Sequence, residues 1–241
     1  MILECIIGTA NLSWLMQHKE MIVLCLDLFG TAVFAITGAL RGFRCRLDFL
    51  GVVVLATAVG VGGGMLRDML IGQTPVAAFQ HGIYLVICAV AGSVMFYLAP
   101  RVGDDWNFIP LCDAIGLGVF TAIGCEKAAG IEGCGRVAIV LCGVMTAVGG
   151  GIIRDVFSMR VPAVLKSDFY ATASLLGGIL FVILLRVFPT QIDYFGRFCI
   201  VSLVVLLIRL CAMRFKFRLP VSHTIPSRER WHFHRKHMFK E

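Results

Sequence analysis

Residues 62–68 read GGGMLRD and residues 149–155 read GGGIIRD, and both lie inside long apolar stretches. A triple glycine followed by an Arg-Asp pair is a poor recipe for an undisturbed membrane helix. Glycine weakens a helix interior, and ionised groups are costly in lipid. Two copies, 87 residues apart (62 to 149), point to a duplicated unit with a broken helix at its centre. Such a unit suits a protein that moves something across a membrane better than it suits a soluble enzyme.

The surrounding composition supports a membrane class. The chain is 59% hydrophobic and 15% charged, with a mean hydropathy of +0.88. A soluble domain carries roughly 25% charged residues. The apolar residues fall in seven blocks, at 22–40, 49–71, 82–99, 108–126, 137–157, 169–188 and 194–213. A bilayer needs about 20 residues per helix. The short apolar run in the first 20 residues (Ile2, Leu3, Ile6, Ile7) lacks a basic flank and a long apolar core. It is read as a short extracytoplasmic segment, not a cleaved signal peptide. The ten cysteines show no C-x-x-C spacing and read as small buried residues. No metal site and no cofactor is expected.

Lysine and arginine set the expected orientation. The odd-numbered loops and the tail hold Arg41, Arg44, Arg46, Arg101, Arg160, Lys166 and eight more from Arg214 onward, 14 in all. The opposite side holds only Lys19, Lys127 and Arg136. The positive-inside rule then puts the N-terminus outside and the C-terminus in the cytoplasm of a multi-pass cell-membrane protein. The formal charge of +7 comes largely from the tail, residues 214–241, so nucleic-acid binding is not expected. That tail contains His223, His232, His234 and His237. Contact with anionic lipid or plain solvation suits it better than a metal site.

The duplication extends beyond the glycines. Asp27, Gly30, Phe34, Gly38 and Arg41 match Asp113, Gly116, Phe120, Gly124 and Lys127. VVLATAVGVGGG at 53–64 matches VLCGVMTAVGGG at 140–151, and Pro75 matches Pro162. Repeat 1 covers about 22–99 and repeat 2 about 108–188, with an extra helix at 194–213; together they form one membrane domain over 21–213. Three spans per copy force the second copy to enter from the opposite side, giving an inverted repeat.

The matched positions of each first span recur at spacings of 3, 4, 4 and 3, one face of a helix. Each face has an acid (Asp27, Asp113) at one end and a base (Arg41, Lys127) at the other. A packing stripe is one use of it, and an ion path another. The run GVGGG at 60–64 lacks the βαβ surroundings of a nucleotide-binding loop. Opened helices at Gly62, Gly63, Gly64, Gly149, Gly150 and Gly151 would free carbonyls toward a watery cavity, beside the hydroxyls of Thr57 and Thr146. A tight helix crossing is the alternative use of the same glycines. Adjacent helix positions point apart, so Arg67 is expected to pair with an acid of the second repeat rather than with Asp68. Arg154 is likewise expected to pair with an acid of the first repeat rather than with Asp155. Those pairs would lock the halves together or gate them.

Paired GGG-x-x-RD motifs in an inverted three-helix repeat, plus a seventh helix, resemble the prokaryotic branch of the trimeric intracellular cation (TRIC) channels. Bacterial members, of the UPF0126 kind, are often labelled by a "glycine transporter" domain name. The resemblance covers nearly all of 22–213. It implies a pore within each protomer of a homotrimer, helices kinked at the glycines, and conduction of monovalent cations, chiefly potassium, with sodium also a candidate. Animal members carry a Lys-Glu-Val segment linked to phosphoinositides; here Glu126-Lys127-Ala128 reverses the order, and Lys127 is kept as a gate-side cation. The expectation is therefore an all-α integral membrane channel with membrane lipids around it and no enzymatic role. A secondary transporter of a small amino acid such as glycine is the alternative.

Overall fold

The computed structural model describes residues 19–101, 108–166, 169–189 and 191–215. Among them are seven long helices: α1 (Lys19–Arg44), α2 (Phe49–Leu70), α3 (Ile83–Leu98), α4 (Phe108–Ala129), α5 (Arg136–Phe157), α6 (Tyr170–Val187) and α7 (Tyr194–Phe215). Each is long and apolar enough to cross a membrane, the third when its 3₁₀ extension Ala99–Arg101 is included. The expected N-terminal segment lies almost wholly outside the described residues. So do nearly all of the basic tail and its four histidines.

Hydrophobicity, not amphipathic contrast, makes these helices. Their outward faces are apolar: Val86, Val90 and Val94 of α3 are exposed at spacings of four, as are Ile179 and Ile183 of α6 and Leu203 and Leu207 of α7. A soluble monomer rarely shows contiguous apolar surface on that scale. Asp48 caps α2, its carboxylate accepting from the Gly51 backbone N–H at 2.7 Å. The helix stops at Gly72, whose φ of +71° is the left-handed geometry that glycine adopts freely. At the equivalent point after α5 the left-handed residue is Met159, with φ +53°.

The core is built around α2 and α5, which pack on each other and on their own repeat partners. In repeat 1, α1 and α3 flank α2; in repeat 2, α4 and α6 flank α5. Helix α7 has no counterpart and packs on α4 and α6. Contacts between the repeats are reciprocal. Phe34 sits over Gly116 and Phe120 over Gly30, with the two rings 5.2 Å apart. The start of α1 and the end of α4 share one cavity lining, through Asp27 and Lys127. Conversely, Arg41 at the end of α1 faces α5 and, beyond it, Asp113 at the start of α4. The two repeats therefore run antiparallel, as an inverted duplication requires.

One expectation is corrected here. Helices α2 and α5 run unbroken through their glycines. The glycines are spent on proximity. A Cβ on Gly63 would collide with the Thr146 carbonyl oxygen, one on Gly150 would lie 2.5 Å from the Val59 carbonyl oxygen, and one on Gly149 2.9 Å from Gly63 Cα. Backbone meets backbone at this crossing, and any side chain would hold the helices apart. The carbonyls stay in their helices and are not freed as ligands.

Candidate functional site

Each end of the bundle gathers the same four groups: from one repeat an acid of its first helix, an Arg-Asp pair at the end of its second and a tyrosine at the start of its third, and from the other repeat a base. At the first end these are Asp27, Arg67 with Asp68, Tyr84 and Lys127. At the second they are Asp113, Arg154 with Asp155, Tyr170 and Arg41.

In both repeats the Asp of the pair is fixed by the chain that follows it. Asp68 Oδ2 accepts from the Ala77 N–H at 2.8 Å, and Asp155 Oδ2 accepts from the Ala163 N–H at 2.8 Å. Pro75 and Pro162 lead into these two short helical turns, Ala77–Gln80 and Ala163–Lys166. Each carboxylate thus ties the end of a crossing helix to the next connection. The arginine then folds along its neighbour. Arg67 Nε donates to Asp68 Oδ1 at 2.8 Å, and Arg154 Nε to Asp155 Oδ1 at 3.2 Å. The expected exchange of partners between repeats is therefore not what forms. Adjacent positions do diverge at Cβ, but a long guanidinium reaches back to a carboxylate already pinned by the next loop.

Beyond that shared frame the two ends differ. Arg154 closes a fork on Asp113, with Nη1 to Oδ1 at 2.8 Å and Nη2 to Oδ2 at 3.0 Å. Its Nη1 also reaches Thr37 Oγ1 at 3.3 Å. Arg41 completes the cluster, its Nη2 4.0 Å from Asp155. Arg154, Asp113 and Asp155 are each at most 5% exposed. A two-pronged Arg–carboxylate pair in such surroundings is strong and directional. At the first end Arg67 makes no such fork. Asp27 instead accepts from the Tyr84 hydroxyl at 2.6 Å.

Space follows the pairing. The first end opens into a vestibule of about 600 Å³, lined by Asp27, Gln73, His81, Tyr84, Glu126 and Lys127 among others. Four of its residues, Asp27, Ala77, Tyr84 and Lys127, also line a smaller inner cavity of about 30 Å³. A water-sized particle needs roughly 10–15 Å³ on this measure. The inner cavity reaches the helix crossing, where Thr31, Phe34, Gly63, Gly64, Phe120 and Thr146 line it. Thr57 does not line it; its hydroxyl donates to the Val53 carbonyl. Thr31 stands there instead. Thr146 lines the cavity with its hydroxyl bonded to the Cys142 carbonyl at 2.6 Å. Glu126 is engaged by Arg197 of α7 at 2.9 Å. Among the described residues no group of three or more His, Cys, Asp and Glu is placed to hold a metal.

Sequence reasoning missed the tyrosines. Tyr84 and Tyr170 stand 86 residues apart, the offset of the first repeat block, and each opens the third span of its copy. The alignment runs at an offset of 87 through Pro75 and Pro162, so the pair shows only when the second copy's connection is allowed to be one residue shorter.

The family model described as "Glycine transporter" matches residues 24–100 and again 110–186. The chain belongs to that family. Among its relatives is the UPF0126 inner membrane protein YadS of Escherichia coli, 41% identical over 202 residues, covering 83% of this chain and 96% of the relative. The protein is thus a multi-pass membrane protein. Two solved structures are similar to it. One is a TRIC cation channel, with 30% identity, a TM-score of 0.76 and coverage of 84% of this chain and 98% of the channel. The other is the trimeric intracellular cation channel orthologue of Rhodobacter sphaeroides, with 32% identity, a TM-score of 0.75 and coverage of 81% and 99%.

Proposed function

We propose that this protein is a monovalent-cation channel, permeable to potassium, with one path inside each protomer of a homotrimer. The observation that carries the reading is the vestibule that narrows into the inner cavity and reaches the α2–α5 crossing. Kinship with structures solved as cation channels supports it. A cation arriving in the vestibule meets Asp27, whose charge offsets that of Lys127. The charge of Arg67 is balanced by Asp68 at 2.7 Å. Further in, the ion meets the hydroxyl of Thr31 and the closing rings of Phe34 and Phe120. Exchange of hydration water for such oxygens is the usual means of passage through a narrow pore. The Arg154–Asp113 fork shuts the far end.

Potassium-loaded liposomes test the reading. Wild-type protein discharges the gradient on addition of an ionophore that balances charge. Thr31→Phe, which fills the inner cavity, abolishes discharge while the protein still elutes as wild type. Unchanged discharge in that variant would place the path elsewhere. Native mass measurement is expected to give three copies.

A glycine carrier is the second reading, favoured by one specific observation: the cavity is accessible from one end and closed at the other. Asp27 could hold an ammonium, and Arg67 or Lys127 a carboxylate. Carriers with inverted repeats place their substrates at such interfaces. Glycine counterflow without unitary current would select it.

A further inference from the structure

The two ends are the same four groups in two different arrangements, and the tyrosines mark the difference. Tyr84 donates to Asp27. Tyr170, its repeat mate, is buried, and its hydroxyl has no hydrogen-bond partner among the described residues. That hydroxyl rests against the glycine run, 3.1 Å from where a Cβ on Gly151 would stand. Its ring lies under the guanidinium of Arg209, 5.0 Å from the ring centroid. Arg209 belongs to α7, the helix with no repeat mate. Arg209 thus reaches Tyr170 from outside the duplicated unit.

We propose that Asp27 and Asp113 are the moving parts of two gates. Each acid is held either by its tyrosine, which leaves that end open, or by its arginine, which seals it. Arg209 is the positioning residue that biases the second end toward sealing. It draws the Tyr170 ring to its own guanidinium and leaves Asp113 to Arg154. Both alternatives are charge-assisted hydrogen bonds to one carboxylate, so a change in the relative strength of the two shifts how often each is made. The attraction of a guanidinium for an aromatic face is greatest where water is excluded, as it is around Tyr170. The seventh helix thereby breaks the symmetry of an otherwise duplicated gate. The consequence for flux rests on the permeation reading above; the rearrangement itself does not.

The test reads access to single introduced thiols in the full-length protein in detergent, with aminoethyl methanethiosulfonate as probe and each site resolved by peptide mass spectrometry. Thr31→Cys reports the inner cavity; Thr37→Cys reports the fork itself, since Thr37 Oγ1 lies 3.3 Å from Arg154 Nη1. In an otherwise wild-type chain, Thr31→Cys reacts and Thr37→Cys reacts about tenfold more slowly. Arg209→Met is expected to speed Thr37→Cys by about fivefold or more, because Tyr170 is released to compete for Asp113. Adding Tyr170→Phe is expected to restore the slow rate. Tyr84→Phe is expected to slow Thr31→Cys, because Asp27 then turns to Arg67. Where Arg209→Met does not fold, Arg209→Gln serves in its place. An unchanged Thr37→Cys rate in Arg209→Met would overturn the proposal. So would an acceleration that Tyr170→Phe fails to reverse, since that is what loosened packing alone produces. If the thiols respond as expected while no variant carries cations, the gates stand and the channel reading falls.

Discussion

At the scale of single residues, the glycine runs separate into positions that touch backbone and positions that meet only side chains. A Cβ on Gly63 or Gly150 meets a carbonyl oxygen of the crossing helix, whereas one on Gly64 meets only the Arg67 guanidinium, at 3.6 Å. Alanine in an ordinary helix interior is better than glycine by roughly 0.5–1 kcal/mol. Gly64→Ala is therefore expected to hold or raise thermal stability in detergent. Gly63→Ala and Gly150→Ala are expected to lower it by about 1–3 kcal/mol, the usual cost of overpacking. Valine at 63 or 150 is more damaging still, so a folded, non-conducting valine variant, the natural expectation for a kink, is not what this crossing predicts. The two acids separate as well. Asp113→Asn leaves Arg154 without its fork and is expected to cost about 3 kcal/mol, as breaking a buried pair does. Asp27→Asn still accepts from Tyr84 and is expected to cost no more than about 1 kcal/mol. Denaturation of the two purified variants side by side checks the difference. The identity of these residues was legible from the repeat, since a doubled Arg-Asp inside apolar sequence has few uses. Their pairing was not. It depends on the Ala77 and Ala163 N–H groups that pin Asp68 and Asp155, and no helix periodicity encodes that.

At the scale of elements, the seven helices fall within a few residues of the seven apolar blocks. The reason is physical: in lipid every backbone group must be satisfied within the segment, so a long apolar run has few alternatives to helix. The unbroken course of α2 and α5 was not legible. Glycine lowers helix propensity in the sequence, while packing against a second glycine-lined helix restores what propensity loses. The two copies also end differently. Gly72 takes the left-handed position after α2, but Met159, 96% exposed, takes it after α5. A side chain in that region costs about 1–2 kcal/mol. Met159→Gly is expected to stabilise the protein by up to about 1 kcal/mol once glycine's greater freedom in the unfolded chain is subtracted. A thermal melt in detergent reads the gain, and a loss of stability would show that the Met159 side chain contributes more than its exposure implies.

At the scale of the whole molecule, the duplication produces two equivalent ends, and the extra helix makes them unequal. The vestibule gathers the start of α1, the connection after α2 and the end of α4. The distribution of Lys and Arg predicts that this is the extracytoplasmic face. Thiol labelling in intact cells is expected to place sites near Arg44 and Arg235 together on the cytoplasmic side, and a site near Gln73 on the other. Labelling of Arg44 and Arg235 sites from opposite faces would contradict the seven-span arrangement. In the proposed reading, ions pass through the protomer, between the crossed glycine helices. Recording from purified protein in a planar bilayer with potassium salt on both sides tests it most directly. Discrete unitary currents that vanish in Thr31→Phe are the predicted result; silent bilayers from protein that exchanges glycine in liposomes would contradict it.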